Sequence, residues 1–107
     1  MGKFILHVSD SYYTFSFYAP GGDKIAMSLP FITRSSARQA ISQTRACSER
    51  AHLYRKLEAS GQYSFELYSE TVQLLVVSER YRSAESRDHA IALVQCKAMH
   101  ADYFETI

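Results

Sequence analysis

A chain of 107 residues with 47% apolar content is long enough to bury a core without metals or disulfides, which excludes a disordered or disulfide-stapled design. A formal net charge of +1 excludes a dedicated nucleic-acid binder, since phosphate neutralisation needs a basic surface. Two cysteines, Cys47 and Cys96, make no disulfide framework, and no apolar run is long enough to span a bilayer, so the expectation is a reduced, soluble, cytoplasmic domain without a signal peptide.

The chain starts Met1-Gly2-Lys3-Phe4 and runs straight into a predicted strand over 4–8. Gly2 invites a myristoylation reading, but that motif needs Ser or Thr at the sixth position, where Leu6 stands. Ser9-Asp10-Ser11 turns the chain into a second strand. There Tyr13, Phe15 and Phe17 alternate with Tyr12, Thr14, Ser16 and Tyr18, the period of a strand with one buried face. Pro20-Gly21-Gly22-Asp23 turns into a third strand over 24–28. Thr33 then suits a helix N-cap, and Ala37, Ala40, Ile41 and Thr44 form the helix's apolar stripe.

The same series follows again. A strand is predicted over 53–58, a tight turn at Ala59-Ser60-Gly61, and a second strand with Tyr63, Phe65 and Leu67 inward. The turn over 69–73 holds neither Gly nor Pro, and a strand over 74–78 comes after it. Ser83 caps a second helix with Ala90, Ile91, Val94 and Ala98 on its buried stripe. Neither helix has the full capping box, because Ser36 and Ser86 occupy the third helical position. A last strand, 102–106, carries Asp102-Tyr103-Phe104-Glu105, which aligns with His52-Leu53-Tyr54-Arg55.

Shifting the sequence by fifty aligns it on itself without a gap: Tyr13 with Tyr63, Phe15 with Phe65, Tyr18 with Tyr68, Ser28 with Ser78, Ser36 with Ser86, Ala40 with Ala90, Ile41 with Ile91. The matches concentrate at apolar and turn positions, the mark of a structural repeat. The expectation is one α+β domain over 1–107, made of two β-β-β-α repeats (3–52 and 53–102) and a closing strand. The sheet is expected to be single and mostly antiparallel with both helices on one face, in a monomer with internal pseudo-twofold symmetry.

Two segments carry a family resemblance: Tyr54-Arg55-Lys56-Leu57-Glu58-Ala59-Ser60-Gly61-Gln62-Tyr63-Ser64-Phe65 and Ser78-Glu79-Arg80-Tyr81-Arg82-Ser83-Ala84-Glu85-Ser86-Arg87-Asp88. Through these the chain resembles the YegP-like family, small bacterial proteins of unknown function that carry the repeat singly or in tandem. Where the family usually has Asn-Gly in the long turn, this chain has Gly21-Gly22 and Thr71-Val72. The resemblance implies one sheet built from both units, with the last strand of each exchanged between them. It implies no activity.

The chemistry-bearing residues are sparse. Cys96 and His100 lie four apart on a predicted helix, but two ligands are too few for a structural zinc site, so no metal and no cofactor is expected. Glu85 and His89, also four apart, read as a helical ion pair. Serines sit in turns and caps, and no glycine-rich phosphate loop or paired-carboxylate motif appears. Between 34 and 56 the charge is lopsided, and Arg34, Arg38 and Arg45 fall on one helical stripe suited to an anion or an acidic partner. The sheet face away from the helices is the other candidate surface, with Tyr12, Tyr18, Tyr68, Glu66 and Arg55. The sequence therefore reads as a binding or interaction module of unknown partner. The alternatives are a small enzyme, or a weak binder of anions or nucleic acid through the Arg stripe.

Overall fold

The structure, a computed structural model, describes residues 2–106. Strands β1 (Lys3–Val8), β2 (Tyr13–Tyr18) and β3 (Lys24–Met27) lead to helix α1 (Arg34–Cys47). A single 3-10 turn, Ala51–Leu53, precedes β4 (Tyr54–Ala59), β5 (Gln62–Tyr68), β6 (Leu74–Ser78), helix α2 (Ala84–Lys97) and β7 (Asp102–Thr106). The strand expected from 53 thus begins one residue later, because Leu53 belongs to the 3-10 turn.

All seven strands form one sheet in the order β4-β5-β6-β3-β2-β1-β7. Every pairing is antiparallel except that of β1 with β7, which aligns Lys3 with Asp102 and Ile5 with Phe104. The strand after each helix therefore crosses to the other half of the sheet: β4 borders β5, and β7 borders β1. At the start of β1 the chain runs close beneath β2. A side chain at Gly2 would sit 2.9 Å from the Tyr18 carbonyl oxygen, so only glycine fits.

The alternation read from the sequence places the core. Phe15, Phe17, Phe65 and Leu67 are at most 1% exposed, and Phe4, Leu6, Leu75 and Val76 join them. Ala37, Ala40, Ile41 and Thr44 of α1 cover this layer, as do Ala90, Ile91 and Val94 of α2. Both helices therefore lie on the same face. Their alanines let them approach the sheet closely, and the burial against it stabilises helices too short to persist alone. Thr33 Oγ1 accepts from the Ser36 N–H at 3.0 Å, and Ser83 Oγ accepts from the Ser86 N–H at 3.1 Å, so both caps form. Two buried serines do equivalent work at the sheet. Ser28 Oγ accepts from the Phe15 N–H at 2.9 Å and Ser78 Oγ from the Phe65 N–H at 2.8 Å.

The two long turns share a hydrogen-bond pattern but not a residue type. Gly22 N–H donates to the Ala19 carbonyl, and Val72 N–H donates to the Ser69 carbonyl, both at 2.9 Å. Gly22 has φ +97 and Val72 has φ 66. A β-branched residue in the left-handed region is strained, and Val72 is 78% exposed, so no packing offsets the strain. Val72→Asn is expected to raise stability by about 0.5–1 kcal/mol, since asparagine tolerates that conformation. The urea midpoint measures it, and a lowered midpoint would mean the valine is not strained.

Candidate functional site

The Arg stripe is engaged within the chain. Arg34 Nε lies 3.4 Å from Glu105 on β7, and Arg38 pairs with the same carboxylate. Tyr103 Oη donates to Glu105 at 2.6 Å, and Arg38 Nε donates to Tyr103 Oη at 3.3 Å. Arg45 points elsewhere. Its Nη1 donates to the Ala101 carbonyl at 2.6 Å and lies within 3.3 Å of those of Ala98 and Met99, just past the end of α2. The guanidinium also sits 5.0 Å from the Phe4 ring centroid. It closes the negative end of the α2 dipole and fixes the approach to β7. Arg38, Arg45 and Tyr103 line a hollow of about 240 Å³ with Ile41 and Ser42.

The hydrogen bond from Tyr103, and then the bond from Arg38, hold the Glu105 carboxyl below the usual carboxylate range. Such a depressed group adds stability above its unfolded pKa, and the gain is lost as pH falls through the folded one. Glu105→Gln is therefore expected to lower stability near neutral pH and to converge with the native chain in acid. Urea midpoints against pH test this, and curves that stay parallel would contradict it.

The second predicted surface is the sheet face away from the helices. The register sets one row of side chains across it: Phe104, Ile5, Ser16, Met27, Val77, Glu66 and Arg55. Arg55 and Glu66 are cross-strand partners, and Tyr68 Oη donates to Glu66 at 2.8 Å, which raises the phenol's pKa. So Arg55, Glu66 and Tyr68 form one patch. Tyr18 is not part of it. It lies beyond Ser16 in β2, on the opposite side of the row from Tyr68, with the Lys3 ammonium 5.8 Å from its ring centroid. Tyr12 precedes β2, in the turn, and is 44% exposed.

A large groove was not anticipated from the sequence. A groove of about 810 Å³ runs along α2, bounded by the start of β3 and the segment after β6. Ile25, Ala90 and Leu93 give it an apolar floor, and Asp23, Lys24, Glu79, Tyr81, Glu85, Ser86 and His89 complete the lining. These residues come from three separate segments, so no local motif announces them. Glu85 and His89, expected to pair with each other, form no ion pair among the described residues, and both line the groove. Tyr81 Oη is buried without a hydrogen-bond partner among the described residues. Burial first, then Glu79 and Asp23, raises its pKa. No hydrogen bond among the described residues joins two of the lining side chains.

Arg87 is the other unanticipated residue. It is 9% exposed, donates to Asp88 at 3.1 Å and to the Leu57 carbonyl at 3.3 Å, and stacks over the Tyr63 ring at 5.5 Å. It ties α2 to β4 and β5. Cys96 and His100, expected on one helix, do not share it, because α2 ends at Lys97. Among the described residues no three His, Cys, Asp or Glu side chains gather to hold a metal ion, and no helix is long and apolar enough to cross a membrane.

A family described as a domain of unknown function (DUF1508) matches residues 58–105. The UPF0339 protein YegP of Escherichia coli O157:H7 is 33% identical over 88 residues, covering 81% of this chain and 80% of that protein. A UPF0339 protein of Bordetella pertussis is 29% identical over 98 residues, 91% of this chain and 88% of the relative. The solution structure of the E. coli protein of unknown function yegP superposes with a TM-score of 0.91 at 29% identity, covering 98% of this chain and 92% of that one. A UPF0339 protein of Shewanella oneidensis shares the fold, with a TM-score of 0.92 at 24% identity over 97% and 90% of the two chains.

Proposed function

Because the chain belongs to the UPF0339 family of YegP-like proteins of unknown function, we propose that it is a binding module that seats a small ligand in the groove along α2. The observation that carries this reading is the groove itself: about 810 Å³, an apolar floor, and polar groups around it. A ligand site has this form. An enzyme would also need those polar groups to be linked as nucleophile, base and orienting partner, and here they stand apart. We further read the protein as a cytoplasmic monomer that arose by tandem duplication, with the second unit taking the place of a partner chain.

Ligand-observed NMR with a set of small fragments tests the groove. Leu93→Trp should fill its floor and abolish binding. Gln43→Trp, fifty residues earlier on α1, should leave binding intact. Equal loss in both variants, or loss in neither, would remove the groove from consideration.

A second reading, anion binding at Arg34, Arg38 and Arg45, is favoured by the hollow between Arg38, Arg45 and Tyr103. An anion there must displace Glu105, so inorganic phosphate should bind Glu105→Gln more tightly than the native chain.

A further inference from the structure

We propose that the groove along α2 takes a small organic cation, a primary ammonium on an apolar stem; this rests on the reading of the groove as the ligand seat.

The fold supplies an internal control. Shifted by fifty residues, Tyr81, Ser86, His89, Ala90 and Leu93 become Phe31, Ser36, Gln39, Ala40 and Gln43. Those five residues, with Gln73, line a second groove along α1. Gln73 is in turn the counterpart of Asp23. The scaffold is therefore the same, yet the α1 groove measures about 250 Å³ and holds no charged side chain. The charge of the α2 groove is not a by-product of the backbone. It comes from substitutions confined to one of two equivalent places.

Those substitutions point one way. Asp23, Glu79 and Glu85 outnumber the one ammonium, Lys24, in a chain whose overall charge is +1. Among the described residues none of the three carboxylates is in an ion pair, and Lys24 pairs with none of them. Tyr81 adds a hydroxyl where its counterpart Phe31 has none, and that hydroxyl is buried without a partner. The unmatched groups are thus chiefly acceptors. An alkylammonium brings three donors and no acceptor, and an aromatic ring beside it adds cation–π attraction. Ile25, Ala90 and Leu93 suit the stem. A bare metal ion is disfavoured, because no three ligating side chains converge among the described residues.

Three matched probes decide it: hexylammonium, hexanol and hexanoate, each titrated near neutral pH and at physiological salt into the full chain, read by amide shifts. Hexylammonium is expected to shift Tyr81, His89 and Leu93 and to bind about tenfold more tightly than hexanol, a difference of about 1.4 kcal/mol. The triple variant Asp23→Asn, Glu79→Gln, Glu85→Gln should abolish that preference and leave hexanol binding unchanged. An undisturbed spectrum outside the groove checks that the variant is folded. If hexanol or hexanoate binds there as tightly as hexylammonium, the cation assignment is wrong and the groove remains the seat. If no probe shifts the groove, the seat itself is wrong.

Discussion

Phe15→Ala is expected to cost about 3–5 kcal/mol of folding stability, and Phe65→Ala about the same, as cavity-forming losses at fully buried rings. Each ring is 0% exposed and lies beneath the helices. Phe15 packs edge-on against Phe4 at 6.0 Å and stacks on Phe31 at 6.3 Å, while Phe65 meets Tyr54 at 5.7 Å. Both backbones are pinned as well, since each N–H is satisfied by a buried serine. A packed core relaxes only partly around such a truncation, so a cavity remains. A domain of this size has about 5–15 kcal/mol in total, so either change removes a large share of it. Urea unfolding gives the number. A cost below about 1 kcal/mol would mean that the rings do not anchor a shared core.

Removing the chain from Asp102 onward should lower the melting temperature by about 10 °C or more and produce dimers. (Ile107 belongs to this deletion but lies outside the described residues.) The two outer flanks of the sheet differ. Strand β1 presents Phe4 and Leu6 on its helix-facing side, both 0% exposed, and β7 lies along its edge. Fifty residues on, the matching positions of β4 are Tyr54 and Lys56. Lys56 lies 3.3 Å from Asp88, so this edge carries a charged guard of its own. On its helix-facing side β1 has the apolar Phe4 and Leu6, so no charge does that job there once β7 is gone. Arg34 and Arg38 would also lose Glu105. The bare β1 edge, apolar on its helix-facing side, then invites the same edge of another copy. Calorimetry and light scattering read both effects. A truncated chain with the same oligomeric state and the same melt as the full one would show that β7 contributes nothing to the sheet.

Much of the fold was legible because it is written in short periods. Alternation at Tyr13, Phe15 and Phe17, and again at Tyr63, Phe65 and Leu67, marks a buried strand face without reference to anything distant. The caps Thr33 and Ser83 act within three residues of themselves. Strand β7 was recognisable from its likeness to an earlier segment. What was hidden depends on separation. The stripe of Arg34 and Arg38 looked free until β7 brought Glu105 to it across the sheet. Arg87 reads as an ordinary polar helix residue, yet the fold tucks it under β4 and against Tyr63. The groove joins residues 23–25, 79–81 and 85–93, and only the sheet order puts β3 beside β6 and so draws these segments together. The one trace of it in the sequence is that residues fifty positions apart differ there, Tyr81 from Phe31 and His89 from Gln39.

The central claim, that the ligand seat is the groove along α2, is tested most directly by mapping where bound fragments perturb the backbone amide spectrum of the whole chain. The shifts are expected to gather at 23–25, 79–81 and 85–93 and to spare the α1 groove at 31–43. Shifts centred instead on Ile5, Met27 and Val77 of the open face, or on Arg34, Arg38 and Arg45, would contradict it.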